Sequence, residues 1–292
     1  LVGSEMCIRD SIMIPPSINF IIYGSMTNQS VGKLFIAGIV PGLMLAGLFM
    51  LWIYLSSLRS TAMPVVAKVP LAERVRLLRY LVEPLVVFGV VMGSLYTGFA
   101  TATESASIGL VAAFLFLLLG GRFSLGLLQT CFLSSAKTTG MILLIVVAAF
   151  VLNLALSLTG IGEALTRWVT SFDLHDAALL FALVVFYLIL GMFMDTLSMM
   201  VATIPLTYPV IVAAGIDPIW FGVFIVLMCE LALITPPVGM NLFVVQGIRP
   251  DPGKVDDVIW GALPYAVIML LFAGLIIAVP DLVTWLPRLM RG

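Results

Sequence analysis

Long apolar runs alternate with short polar intervals along most of the chain, and prolines fall inside several of the runs. The run from about Ile219 to Val245 is long enough to cross a bilayer, yet its centre reads Thr235-Pro236-Pro237-Val238-Gly239. Two adjacent prolines remove two backbone donors and clash with the preceding turn, so a helix must break there. Backbone groups freed at membrane depth are tolerated only where they face protein or a watery cavity. Broken helices of this kind hold substrate and coupling ions near the midplane in many secondary transporters.

The other runs arrange themselves around that break. Residues 12–30 form a second proline-broken apolar segment, and Leu34–Leu58 is a span carrying the small residues Gly38, Gly42 and Gly47. Residues 59–79 read as a basic cytoplasmic linker, followed by apolar segments at Tyr80–Phe99, Ser105–Leu119 and about Leu127–Leu158. A polar loop with Glu163, Arg167, Asp173 and His175 comes next. Residues 177–213 then hold two apolar stretches around Gly191-Met192-Phe193-Met194-Asp195-Thr196, each shorter than a full crossing needs. They read as a re-entrant hairpin. The broken segment 218–246 and a last span at about 258–279 complete the chain. Threaded this way, Arg59, Lys68, Arg74, Arg76, Arg79, Arg122, Arg249 and Lys254 fall inside, while Lys33, Arg167, Arg288 and Arg291 fall outside. That asymmetry follows the positive-inside rule.

Composition narrows the function classes. The chain of 292 residues is 62% hydrophobic and 10% charged, with a mean hydropathy of +1.21, which makes it an all-α polytopic membrane protein. A net charge of −1 and the lack of any basic block give nucleic acid no footing. Cys7, Cys131 and Cys229 have no metal or disulfide spacing, and His175 is the single histidine. An intramembrane protease would need two deep aspartates, a Ser–His pair or a zinc motif, so no enzyme is expected. The first eleven residues, LVGSEMCIRDS, fit neither a signal peptide nor a span and read as a non-native leader. Residues 12–58 then read as the end of a first repeat, and 80–292 as a second.

The repeat rests on two stretches. Pro15-Pro16-Ser17-Ile18-Asn19-Phe20 and Pro236-Pro237-Val238-Gly239-Met240-Asn241-Leu242-Phe243 each place an asparagine and an aromatic after a double proline. On the threading above they cross in opposite directions, as an inverted-topology repeat predicts.

With these residues in view, the chain resembles the large, DctM-like permease subunit of tripartite ATP-independent periplasmic (TRAP) transporters. The resemblance runs from Ile12 to about Leu286. It is carried by IPPSINFIIYG (14–24), LFIAGIVPG (34–42), GFATATESA (98–106), LGMFMD (190–195) and ITPPVGMNL (234–242). Ala102 stands where the family usually has proline, and the family's N-terminal spans and first hairpin have no counterpart, so the chain reads as N-terminally truncated. The resemblance implies a sodium-coupled importer of organic acids (dicarboxylates, sialic acid or related carboxylates) in the bacterial inner membrane. It implies an elevator mechanism, a small four-helix DctQ-like subunit and a periplasmic DctP-like binding protein as partners, and no cofactor beyond the coupling ion. The alternative is a self-sufficient dicarboxylate or ion carrier of the same superfamily.

Asp195 is the one acid in the middle of the hairpin, and an intramembrane carboxylate is by default a functional candidate. It would either coordinate sodium or hold the tip by accepting backbone amides. Thr196, Gly191, Thr235, Gly239 and Ser17 join it as ion-binding candidates through hydroxyls and carbonyls. Thr235 has its own alternative, a hydroxyl that satisfies the broken backbone. Pro16, Ser17, Asn19, Pro237 and Asn241 are the substrate candidates, because half-helix N-termini offer amides and partial positive charge to a carboxylate. Pro15, Pro16, Pro236 and Pro237 make the breaks. Glu104 reads as a helix N-terminal charge, and Glu230 as either an ion-pathway residue or one member of a buried pair.

Overall fold

A computed structural model describes residues 13–59, 71–121, 123–171, 176–236, 239–248 and 253–289. Every regular element among them is a helix: α1 (Ile18–Thr27), α2 (Val31–Arg59), α3 (Leu71–Tyr96), α4 (Ala102–Leu119), α5 (Leu125–Thr159), α6 (Ile161–Thr170), α7 (Asp176–Gly191), α8 (Thr196–Ala213), α9 (Pro218–Ile234), α10 (Met240–Ile248), α11 (Val255–Ala278) and α12 (Asp281–Leu289). Among the described residues, five helices are long and apolar enough to cross a membrane: α2, α4, α5, α8 and α11. The chain is a multi-pass membrane protein.

It divides into two compact units, Leu1–Leu58 with Leu144–Gly292, and Arg59–Leu143. In the second unit α3 packs on α4. Gly109 lets them approach, since a Cβ there would stand 2.5 Å from Val91 Cγ2, and Ser94 Oγ donates to Ser105 Oγ at 3.0 Å. Thr101 and Glu104 close a capping box at the start of α4, Thr101 N donating to the carboxylate at 2.8 Å.

The first unit is built on α9, which is apolar on every side and buried from Trp220 to Ile234. A helix of that kind must be surrounded, and α1, α7, α8, α10, α11 and α12 all pack on it. Asp217 caps its start, accepting from Ile219 N at 2.7 Å. Trp220 Nε1 donates to Ile276 O at 3.2 Å, fixing α11 against it. Gly222 makes room for the ring of Tyr23, 2.7 Å from where a Cβ would stand, and Tyr23 Oη donates to Pro218 O at 2.6 Å. That bond ties α1 to the head of α9. Tyr23→Phe keeps the ring and loses the bond, so it should lower stability by about 1 kcal/mol. Thermal unfolding of the purified protein checks it.

Two expectations need correcting. The linker expected over 59–79 ends earlier, because α3 begins at Leu71. Its sequence LAERVRLLR repeats apolar residues at helical spacing, with Glu73 in the first turn, where a negative charge favours the helix. The polar loop expected after Leu158 contains α6. Ile161, Leu165 and Trp168 recur on one face while Glu163 and Arg167 stand four apart, an amphipathic pattern too short to read as an apolar run. Asp173 and His175 lie outside the described residues.

The stretches read as a hairpin are α7, of 16 residues, and α8, of 18. At 1.5 Å per residue α7 rises about 24 Å, short of the roughly 30 Å hydrocarbon core, whereas α8, rising about 27 Å, is long and apolar enough to cross and so exceeds the short arm expected from the sequence.

Candidate functional site

The long apolar run breaks between α9 and α10. An unbroken helix would bond Ala232 O to the amide of residue 236 and Leu233 O to that of residue 237, but both are prolines. Thr235 N donates to Ala232 O at 3.2 Å instead, and Gly239 N to Thr235 O at 3.2 Å. Thr235 is extended, with φ −84 and ψ 124. Its Oγ1 donates back to Leu231 O at 2.7 Å. The hydroxyl proton therefore satisfies the broken backbone, while its lone pairs stay available. Leu233 O and Thr235 O lie 2.9 and 3.0 Å from the point where a Cβ on Gly239 would stand. Only glycine leaves those two oxygens clear. Pro236 and Asn241 are half-buried on either side of the break, and Pro237 lies outside the described residues.

The hairpin end is held by local bonds. Phe193 N and Met194 N both donate to Leu190 O, at 2.9 and 3.1 Å, turning the chain tightly after α7. Asp195 caps α8, its Oδ2 accepting from Leu197 N at 3.1 Å and Ser198 N at 3.3 Å. Thr196 is buried beside it, and its Oγ1 has no hydrogen-bond partner among the described residues. Gly191 is buried where α7 meets α9: a Cβ there would collide with Ala232 Cβ and stand 3.0 Å from Ala232 Cα. Ala232 lies three residues before Thr235, so the hairpin end rests against the last turn of α9 before the break.

The first double proline lies just ahead of α1. Met13 and Ile14 pack on Gly38 and Gly42 of α2, while Gly47 meets nothing within 4 Å. Pro15 is buried and Pro16 exposed, and the peptide between them is cis. Ser17 is the N-cap of α1 without using its side chain as a cap. Ser17 is 3% and Asn19 4% exposed, yet Ser17 Oγ and Asn19 Nδ2 lack hydrogen-bond partners among the described residues. Since α1 packs on α8 and α9, both residues belong to the same packed body as the hairpin and the second break. Glu230 is also buried in that body, at 2% exposure.

Sequence reading missed two features. Ala232 gave no signal of its own, because its role comes from Gly191 some forty residues away. The carbonyl of Leu233 was findable, as it lies four residues before Pro237. A cavity of about 450 Å³ beside α6, lined by Asn153, Glu163, Arg167, Pro205 and Pro209 among others, contains none of the candidates.

Comparison with known proteins bears on this arrangement. The family model for the tripartite ATP-independent periplasmic transporter DctM component matches residues 11–282. A C4-dicarboxylate TRAP transporter large permease protein of Pseudomonas aeruginosa is 34% identical over 278 residues, covering 95% of this chain and 64% of the relative. A 2,3-diketo-L-gulonate TRAP transporter large permease protein of Escherichia coli is 31% identical, over 93% of this chain and 63% of the relative. A sialic acid TRAP transporter large permease protein of Vibrio cholerae is 28% identical, over 96% and 65%. The chain thus spans about two thirds of the length of these relatives, which are transporter subunits and not enzymes. With a long apolar run broken at Pro236-Pro237, a second double proline just ahead of α1 and a family match that extends over both, the chain belongs to the DctM family of tripartite ATP-independent periplasmic transporter permeases.

Proposed function

We propose that the chain is the membrane permease of a sodium-coupled importer of organic acids, served by a periplasmic binding protein and a small membrane subunit in the bacterial inner membrane. One observation carries the reading. Ser17 Oγ, Asn19 Nδ2 and Thr196 Oγ1 are buried without hydrogen-bond partners among the described residues, and all three lie at the starts of helices. Buried polar groups are nearly always bonded, so groups left open at helix breaks suit a ligand that arrives and leaves.

The chemistry sorts by charge. Sodium, a hard cation, takes oxygen ligands, for which the Asp195 carboxylate, the Thr196 hydroxyl and the carbonyls of Leu233 and Thr235 are suited. A substrate carboxylate suits the N-terminal ends of α1 and α10, with Ser17, Asn19 and Asn241 at hand. In this reading the two repeats carry the two breaks to one site, and the body around α9 moves as the elevator.

The test is uptake into proteoliposomes holding the full-length gene product, its small subunit and its binding protein. An inward sodium gradient is expected to drive accumulation of a labelled organic acid, and a potassium gradient of equal size is not. Equal uptake under both would overturn sodium coupling. Uptake without the binding protein would favour the self-sufficient carrier.

A further inference from the structure

Helix α8 has two unlike faces. Pro205 and Pro209 stand four apart on one, and neither can donate to the carbonyl one turn back, so that face lacks two helical hydrogen bonds. Met199, Thr203 and Thr207 stand four apart on the other, all buried. Prolines on one side make a helix able to bend, and the opposite side must set how far.

On that opposite side lies Tyr187 of α7, fully buried. Its hydroxyl donates to Thr203 Oγ1 at 3.0 Å and lies 3.2 Å from Thr207 Oγ1. Each threonine proton is already committed: Thr203 Oγ1 donates to Met199 O at 2.7 Å and Thr207 Oγ1 to Thr203 O at 3.0 Å. The tyrosine's single proton is therefore shared between two acceptors that brace the helix at the level of its prolines. Tyr187 is also one helical turn before Gly191, at the hairpin end.

We propose that Tyr187 is a positioning residue for transport. Its hydroxyl, through Thr203 and Thr207, limits how far α8 can bend at its prolines and so holds Asp195 and Thr196 in place at the hairpin tip. The proposal rests on the transport reading above for its consequence, and on the hydrogen-bond geometry alone for its mechanism. It predicts an unusual separation of effects. Tyr187→Phe keeps the ring, and both threonines keep their own backbone acceptors, so no buried donor is orphaned. Folding should lose no more than one ordinary hydrogen bond's contribution while the tip loses its brace.

In the reconstituted complex, Tyr187→Phe is expected to raise the sodium concentration for half-maximal uptake about fivefold, the factor one neutral hydrogen bond is worth. The unfolding midpoint should move by no more than a few degrees. On a Thr203→Val/Thr207→Val background the same substitution should add nothing, because the bonded partners are gone. An unchanged sodium dependence in Tyr187→Phe, or a full second effect on the valine background, would overturn the proposal. A second readout is independent of transport: with Cys7 and Cys131 replaced by serine, the half-buried Met194 at the tip is replaced by cysteine and its rate of reaction with a small maleimide measured. Tyr187→Phe should speed that reaction several-fold. An equal rate in both proteins sinks the brace, even if uptake itself proves not to be sodium-driven.

Discussion

Replacing Gly191 by alanine is expected to destabilise the protein by about 1–3 kcal/mol and to abolish uptake, with valine worse. Two effects compete. Alanine at the end of α7 gains roughly 0.5–1 kcal/mol of helix propensity over glycine. Against that, the new methyl would collide with Ala232 Cβ and lie 3.0 Å from Ala232 Cα. Neither atom can rotate away, since one is fixed to the backbone and the other is backbone. The clash wins, and α7 must lift from α9 just where the hairpin tip meets the second break. The contact makes its own control: Ala232→Gly should restore much of the stability and uptake of Gly191→Ala, although alone it removes a methyl from a buried helix. Thermal unfolding and uptake of the two single variants and the double one measure the coupling directly.

Asp195→Asn is expected to reduce sodium-driven uptake by at least about a hundredfold, while changing stability by less than about 0.5 kcal/mol. Asparagine is as good an N-cap as aspartate, so the bonds from Leu197 N and Ser198 N can persist. What it lacks is the charge. Asp195→Ala removes both and should add about 1 kcal/mol of lost stability to the loss of uptake. If asparagine transports normally and only alanine fails, Asp195 is a cap alone.

The double prolines were the most legible feature of the chain, because proline acts locally: Pro236 and Pro237 disable the carbonyls of Ala232 and Leu233 whatever surrounds them. The length of α7 was legible for a similar reason, since an apolar stretch of 16 residues states its own reach, whereas α8 at 18 residues reaches the length of a span. Glu104 read as a helix N-terminal charge, and its capping box with Thr101 is written in four consecutive residues. What could not be read depends on distant partners. Gly191 looked like a source of free carbonyls, yet its most definite structural property is the approach to Ala232. Tyr23 and Tyr187 are ordinary aromatics in apolar runs until Pro218 O and Thr203 Oγ1 stand opposite them. Helix α6 was hidden differently, as a short amphipathic segment whose polar face made it look like a loop. For Asp195 and Thr235 both alternatives were visible in sequence. The structure gives each a backbone partner, which leaves the further question of a bound cation to experiment.

That question has a direct measurement: equilibrium binding of radioactive sodium to the purified full-length protein, with potassium as competitor, in wild type, Asp195→Asn and Thr196→Ala. Saturable binding that potassium does not displace, lost in Asp195→Asn and weakened in Thr196→Ala, is the predicted result. Binding that potassium displaces equally, or that both variants retain at wild-type strength, would contradict a sodium site at the hairpin tip.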